Sequence, residues 1–193
     1  MSAALKWNQI SVEEYLAGEF DSPPWFEYLG GLLFRRPDER NVHNMISGNI
    51  FGSLAVGLRG RLFRPWSSAT KIRIEFFGGI RFYHPDASVI GIHSFQDEPT
   101  AVFEVLSRKT RRVDGVEKKG AYLTIPSLRL YVLVEQDSPL VVVFRRTDAG
   151  FVREVYEGLD AVVRLGEIEI ELPLAEVYDG VEFVAELDDE AER

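Results

Sequence analysis

Apolar residues recur along this chain in two rhythms, and the changes between them predict its elements. Ser11 stands before Val12-Glu13-Glu14-Tyr15-Leu16, with Glu14 three residues on, the capping-box opening of a short helix that Gly18 ends. In Trp25–Arg36 (WFEYLGGLLFRR) two apolar runs flank Gly30-Gly31, the pattern of a β-hairpin. Glu27, between Phe26 and Tyr28 in the first arm, reads from this pattern as a solvent-facing strand residue. Val42, Met45, Ile46, Ile50, Leu54 and Leu58 then fall at helical spacing, with Asn41 as N-cap and His43 in the first turn, where capping or surface duty is the ordinary expectation. Gly48, Gly52 and Gly57 each weaken such a helix by about 1 kcal/mol relative to alanine, and their missing side chains permit close packing on a sheet.

From Lys71 the rhythm becomes that of strands. Lys71–Phe77 alternates charged and apolar residues, and Gly78-Gly79 turns the chain. Arg81–Ile92 is a second strand region, interrupted by Pro85, which belongs at a strand start, an edge or a bulge. Asp86 follows it at the mouth of Ala87-Ser88-Val89-Ile90, where turn chemistry alone could account for it. Pro99–Ser107 is nearly continuous in apolar residues, as in a strand buried on both faces, and Glu104 interrupts it. An ionised carboxylate there costs several kcal/mol unless paired, hydrogen-bonded or bound to metal. Glu104 is therefore the most informative residue in the chain, with a buried ion pair to an arginine as the alternative to function.

A basic loop, Arg108 to Arg112, follows at once, and residues 113–124 read as a helix with Asp114, Lys118 and Tyr122 on one face. By spacing alone, Asp114 and Lys118 make a surface salt bridge. Beyond it the chain is β-rich. Leu128–Glu135 and Leu140–Arg146 flank the turn Asp137-Ser138-Pro139, and Phe151–Tyr156, Ala161–Leu165 and Ile168–Leu172 are further strands. Two acids and a lysine on neighbouring elements are the minimum equipment for metal-assisted phosphodiester cleavage.

Composition narrows the class. The 193 residues suffice for one domain with a sizeable core, expected over residues 1–185, with a charge-rich, disordered tail over 186–193. No apolar run reaches the roughly 18 residues of a membrane helix, and the first residues lack a signal-peptide pattern, so a cytoplasmic protein is expected. The absence of cysteine excludes disulfides and thiolate metal sites. The net charge of −9 argues against a nucleic-acid partner, but its distribution softens the argument. Residues 1–134 hold 17 basic and 14 acidic side chains, whereas residues 135–193 hold 5 and 17.

These landmarks together resemble the Uma-type (Uma two) family of proteins classed as restriction endonucleases, within the PD-(D/E)XK nuclease superfamily. The resemblance runs over about residues 9 to 178. It rests on Phe26-Glu27-Tyr28, His43, Pro85-Asp86, Phe103-Glu104-Val105-Leu106-Ser107, Thr110-Arg111-Arg112 with Asp114, Lys118 and Tyr122, and Leu130–Val134, in that order. It implies a mixed α+β, restriction-endonuclease-like fold: a central mixed β-sheet flanked by helices, with the N-terminal hairpin and additional C-terminal strands. It also implies Mg²⁺, or Mn²⁺ in its place, held by Asp86, Glu104 and the Val105 carbonyl, with Glu27 as a third acid. Nucleic acid, DNA above all, is the implied substrate. The superfamily's usual lysine, two residues after the second acid, is replaced here by Leu106, which leaves Lys118 as the lysine of fitting spacing and Lys119 as the poorer candidate. Arg111 or Arg112, with His43, would contact substrate. The other reading of the same pattern is a catalytically inactive module of this fold that binds nucleic acid or protein. A plain structural domain would require Glu104 fully paired by arginine. The strands and aromatic residues also permit a homodimer.

Overall fold

The computed structural model describes residues 9–18, 26–36, 41–107, 111 and 113–183, with the backbone alone at 113–115. In chain order the elements are α1 (Val12–Ala17), the hairpin β1 (Phe26–Leu29) and β2 (Leu32–Arg35), and α2 (Asn41–Gly57). Then come β3 (Phe63–Ser67), β4 (Ile72–Phe76), β5 (Gly79–Tyr83), β6 (Ala87–Gly91) and β7 (Pro99–Leu106). A π-helical turn (Val113–Lys118) runs into α3 (Lys119–Tyr122), followed by β8 (Leu130–Glu135), β9 (Leu140–Thr147), β10 (Gly150–Glu157), β11 (Val162–Leu165), β12 (Ile170–Pro173) and α4 (Leu174–Val177). The expected tail over 186–193, Trp25, Thr110 and Arg112 lie outside the described residues. Among the described residues no helix is long and apolar enough to cross a membrane.

The six-stranded central sheet has the order β10-β9-β8-β7-β6-β3 and is mixed: β7 and β8 are parallel, and the remaining pairs antiparallel. A parallel pair needs a crossover, and the π turn with α3 provides it. One face carries Ala87, Val89, Phe103, Val105, Val132 and Val143 against Ile46, Ile50 and Leu54 of α2. The other carries Val102, Leu106, Tyr131 and Leu133 against Ile72, Ile74, Tyr83 and Tyr122. With both faces covered, β7 is buried at seven of its eight positions, as its apolar run predicts.

The Arg81–Ile92 region is two strands in different sheets. β5 belongs to a four-stranded sheet, β2-β1-β5-β4, and β6 to the central one. Pro85 lies in the joint, where no ladder hydrogen bond is required of it. This joint delivers Asp86 to the start of β6, between the two sheets.

The capping box forms: Glu14 N–H donates to Ser11 Oγ at 3.1 Å, and Ser11 N–H to Glu14 Oε2 at 2.7 Å. Gly30 and Gly31 both have positive φ, +58° and +99°, the requirement of a two-residue hairpin turn. The α2 glycines are not all alike. A Cβ on Gly57 would meet Ile170 Cγ2 of β12 at 3.1 Å, whereas Gly48 and Gly52 have nothing within 4 Å, so close packing explains only the last of the three. Met45, placed on the apolar stripe by its spacing, is 43% exposed. β3 went unpredicted because its sequence, FRPWS, carries no alternation and contains a proline, which an edge strand tolerates. Ile168 closes a short 3₁₀ turn, and β12 begins two residues later.

Arg145 of β9 ties the C-terminal strands together, donating to Glu154 Oε1 at 2.7 Å and to Glu167 Oε1 at 2.6 Å. The Arg145 hydrogen bonds hold the Glu154 carboxyl below its ordinary value against a burial effect that would raise it. A depressed folded-state pKa means stability that is present above the unfolded value and lost as pH falls through the folded one. Glu154→Gln is therefore expected to cost up to about 1 kcal/mol near neutral pH. The difference from wild type should shrink in urea titrations carried below the ordinary carboxylate range. A gap that stayed constant into acid would show that Glu154 contributes no titrating interaction.

Candidate active site

Asp86 and Glu104 meet because their strands are antiparallel neighbours. The register pairs Ala87 with Phe103, so one further step sets Asp86 against Glu104. Both are buried, at 5% and 1% exposure. The Val105 N–H donates to Asp86 Oδ2 at 2.7 Å, which locks the aspartate to the end of β7. His43 Nε2 lies 3.3 Å from the same oxygen, and Arg36 Nη2 donates to Oδ1 at 2.9 Å. Burial alone would raise the Asp86 pKa. The hydrogen bond and charge of His43, with Arg36 and the Val105 N–H, outweigh it and hold the carboxyl well below the ordinary range, at about 2.

The second half of the cluster is centred on Lys118. Its Nζ lies 2.8 Å from Glu27 Oε1 and 3.4 Å from Glu104 Oε1, and 5.6 Å from the centre of the Tyr83 ring. Lys118 ends the π-helical turn and is 5% exposed. Such turns often occur at functional sites, and their wider winding re-aims the residues they carry. Lys119, one residue on, is directed elsewhere: its Nζ sits 4.7 Å from the centre of the Phe144 ring. The hairpin brings in Glu27, which is 8% exposed. Arg36 stands just past β2, and Asp86, Glu104 and Glu27 together keep it protonated although burial opposes its charge.

The structure thus gathers Glu27, His43, Asp86, Glu104, Val105 and Lys118 at one end of the central sheet. Three expectations drawn from spacing change. Glu27 is not solvent-facing: the four-stranded sheet turns that face of β1 inward, onto Lys118. His43 is neither cap nor surface residue but buried at 3% exposure against Asp86. Lys118 makes its ion pairs with two buried glutamates rather than on a surface, and the Asp114 side chain lies outside the described residues. Arg111 pairs with other acids, its Nη2 2.6 Å from Glu135 Oε2 and 3.7 Å from Asp137 Oδ2.

Arg36 was missed. Its partner Asp86 is 50 residues away, and nothing in the local pattern distinguishes it from Arg35. The signal that could have found it is a need: a buried carboxylate cluster requires more cation than Lys118 alone supplies.

The family model described as "Uma2: Putative restriction endonuclease" matches residues 12–175. The chain belongs to the Uma2 family. It is 26% identical over 135 residues to the uncharacterized protein sll1609 of Synechocystis sp., a match covering 66% of this chain and 75% of that protein. Its fold superposes with a TM-score of 0.69 on a crystal structure from Anabaena variabilis described as "a putative nuclease belonging to DUF820". That likeness covers 87% of this chain and 97% of the other at 19% identity, which makes it a likeness of fold. As a Uma2 protein the chain is nuclease-like, and its mixed central sheet is the one expected from the sequence.

The cluster has the donor chemistry of a hard-cation site: carboxylates from adjacent strands beside a strand-end carbonyl. Among the described residues, however, no three histidine, aspartate or glutamate side chains converge as a ready-made metal site. Arg36 and Lys118 lie against the acids where a metal would bind. The donor set fits Mg²⁺ provided that one of these cations yields its place.

Proposed function

We propose that this Uma2 protein is a metal-dependent endonuclease that hydrolyses phosphodiester bonds, DNA being the first substrate to test. The observation that carries this reading is the meeting of Asp86 and Glu104, both buried, with Lys118 at 3.4 Å from Glu104. Asp86, Glu104 and the Val105 carbonyl would hold Mg²⁺ or Mn²⁺, with Glu27 as a third acid. A bound ion supplies Lewis acidity and an acidified water. The Val105 N–H and His43 fix the Asp86 carboxylate in orientation, so it is preorganised before substrate arrives. Lys118 Nζ, held between two glutamates, orients the attacking water and stabilises the charge that develops on the phosphoryl oxygens. Arg36, the most exposed cation of the cluster at 14%, is placed to leave Asp86 and take up a phosphate oxygen.

Mn²⁺ calorimetry at low salt tests the reading. Wild type should bind saturably, and Glu104→Gln should lose that binding. Arg36→Gln should bind at least about tenfold more tightly, because a full positive charge beside Asp86 no longer competes. A folded wild type that takes up no Mn²⁺, alone or with a short duplex present, would remove the hydrolytic reading. The self-neutralised cluster favours a second reading for that case. There the acids and cations form a structural network in a nucleic-acid-binding module, and Arg36→Gln would destabilise the fold without conferring metal affinity.

A further inference from the structure

We propose that β3 is a binding track for single-stranded nucleic acid, on which Trp66 stacks an unpaired base next to the acids. This inference rests on reading Asp86 and Glu104 as a nucleic-acid site. β3 is the edge strand of the central sheet beside β6. Its register pairs Trp66 with Ser88 and Arg64 with Ile90. Side chains alternate along a strand, so Trp66 and Arg64 project from the same face of the sheet as Glu104. Trp66 and Asp86 are diagonal neighbours, about 7–8 Å apart between backbones. That is near enough for one nucleotide to reach both. The end of β3 is fastened to the joint that carries Asp86, with His84 Nδ1 3.0 Å from the Ser68 carbonyl oxygen.

Trp66 is 45% exposed and lies in a stretch of the chain without acidic residues. Between Glu39 and Glu75 the chain has no acidic residue and six basic ones, in a protein with 31 acidic side chains. Arg61 and Arg73 are held by Glu169 and Glu75. Arg64, two residues from Trp66, is exposed with its Nη1 donating to the Arg61 and Phe63 carbonyls at 2.7 and 2.8 Å, and Arg59 is exposed just before the strand. An aromatic face flanked by arginines matches the two needs of single-strand binding, a stacking surface and phosphate neutralisation. An added protein strand is the other occupant an edge can take. Pro65, at the middle of β3, opposes it by removing a ladder donor.

The test is fluorescence anisotropy with a labelled oligo(dT) and the corresponding duplex, in metal-free buffer containing EDTA so that nothing is cleaved. Wild type should bind the single strand more tightly than the duplex. Trp66→Ala should weaken single-strand binding about tenfold or more, Trp66→Phe should restore most of it, and Arg64→Gln should lower the salt dependence by about one phosphate contact. Where Trp66→Ala fails to fold, the readout is fluorescence: the single strand should quench a component of wild-type emission that Trp66→Phe lacks, and the absence of such quenching overturns the proposal. The proposal is overturned if wild type does not bind the single strand, if it prefers duplex, or if Trp66→Ala binds as wild type does. Cleavage by a protein indifferent to Trp66 would sink this inference and keep the hydrolytic reading. Trp66-dependent binding by a protein that takes up no Mn²⁺ would do the reverse.

Discussion

Glu104→Gln and Asp86→Asn are each expected to lower Mg²⁺-dependent cleavage of plasmid DNA by at least about a hundredfold, with the fold retained. The magnitude follows from the position of the two carboxylates. Changes to groups that merely orient a metal ligand cost 10–100-fold, and loss of a ligand costs more. Each substitution keeps the shape and a hydrogen-bonding oxygen. The amide oxygen introduced by Asp86→Asn would still accept from the Val105 N–H, and the one introduced by Glu104→Gln would still face Lys118, so packing is preserved. Supercoiled plasmid is the right substrate, since one nick converts it to a separable form and local melting presents unpaired strands. Circular dichroism and thermal melts on the same preparations separate lost chemistry from lost fold. Residual cleavage within about threefold of wild type in both variants would place the chemistry elsewhere. Activity lost only in Glu104→Gln would make Asp86 a partner of Arg36 and His43 and nothing more.

The two acids were legible in the sequence for a physical reason. Glu104 interrupts a run that must be buried on both faces, and the cost of an isolated charge there is large enough to demand an explanation. Asp86 was legible more weakly, through its place after Pro85 at a strand mouth. The elements were legible where pattern and turn chemistry agree: Ser11 and Glu14 in the capping box, Gly30-Gly31 in the hairpin, and the apolar runs of β7 and β8. What the pattern could not give were the neighbours that only tertiary structure supplies. Glu27 alternates between two apolar residues as a surface residue would, and the second sheet reverses that meaning by closing over it. His43 shares the buried stripe of Ile46, Ile50 and Leu54, but its polarity reads as a cap or surface group, and only the packing of α2 shows that its first turn meets Asp86. The spacing of Asp114, Lys118 and Tyr122 suggests an α-helical face, whereas the first part of that segment winds as a π turn. The break in Arg81–Ile92 was visible, but a passage from one sheet to another reads in sequence like any interrupted strand.

Lys118 is where these long-range contacts bring one cation against two buried acids. Its ammonium lies between Glu27 and Glu104, and all three side chains are at most 10% exposed. Replacing it with methionine keeps the length of the side chain and removes the charge, leaving two buried carboxylates facing each other. Breaking a buried ion pair from one side costs about 3–5 kcal/mol, because the remaining charge is neither solvated nor matched. Lys118→Met should therefore lower the unfolding free energy by about that much at neutral pH, as read from urea midpoints at unchanged m-value. The deficit should narrow as pH falls and the stranded carboxylates take up protons. Adding Glu27→Gln should recover a good part of the loss, since one of the two opposed charges is then gone and Glu104 retains the field of Arg36. Set beside Glu27→Gln alone, which reports the part Glu27 plays at the metal, the recovered double variant also separates the two duties of the lysine. It should fold and take up Mn²⁺ through Asp86 and Glu104 while still failing to cleave, if Lys118 Nζ acts on water or on the phosphoryl oxygens. A Lys118→Met protein within about 1 kcal/mol of wild type would mean that water reaches these carboxylates. A stable double variant that cleaves normally would reduce Lys118 to a counter-ion.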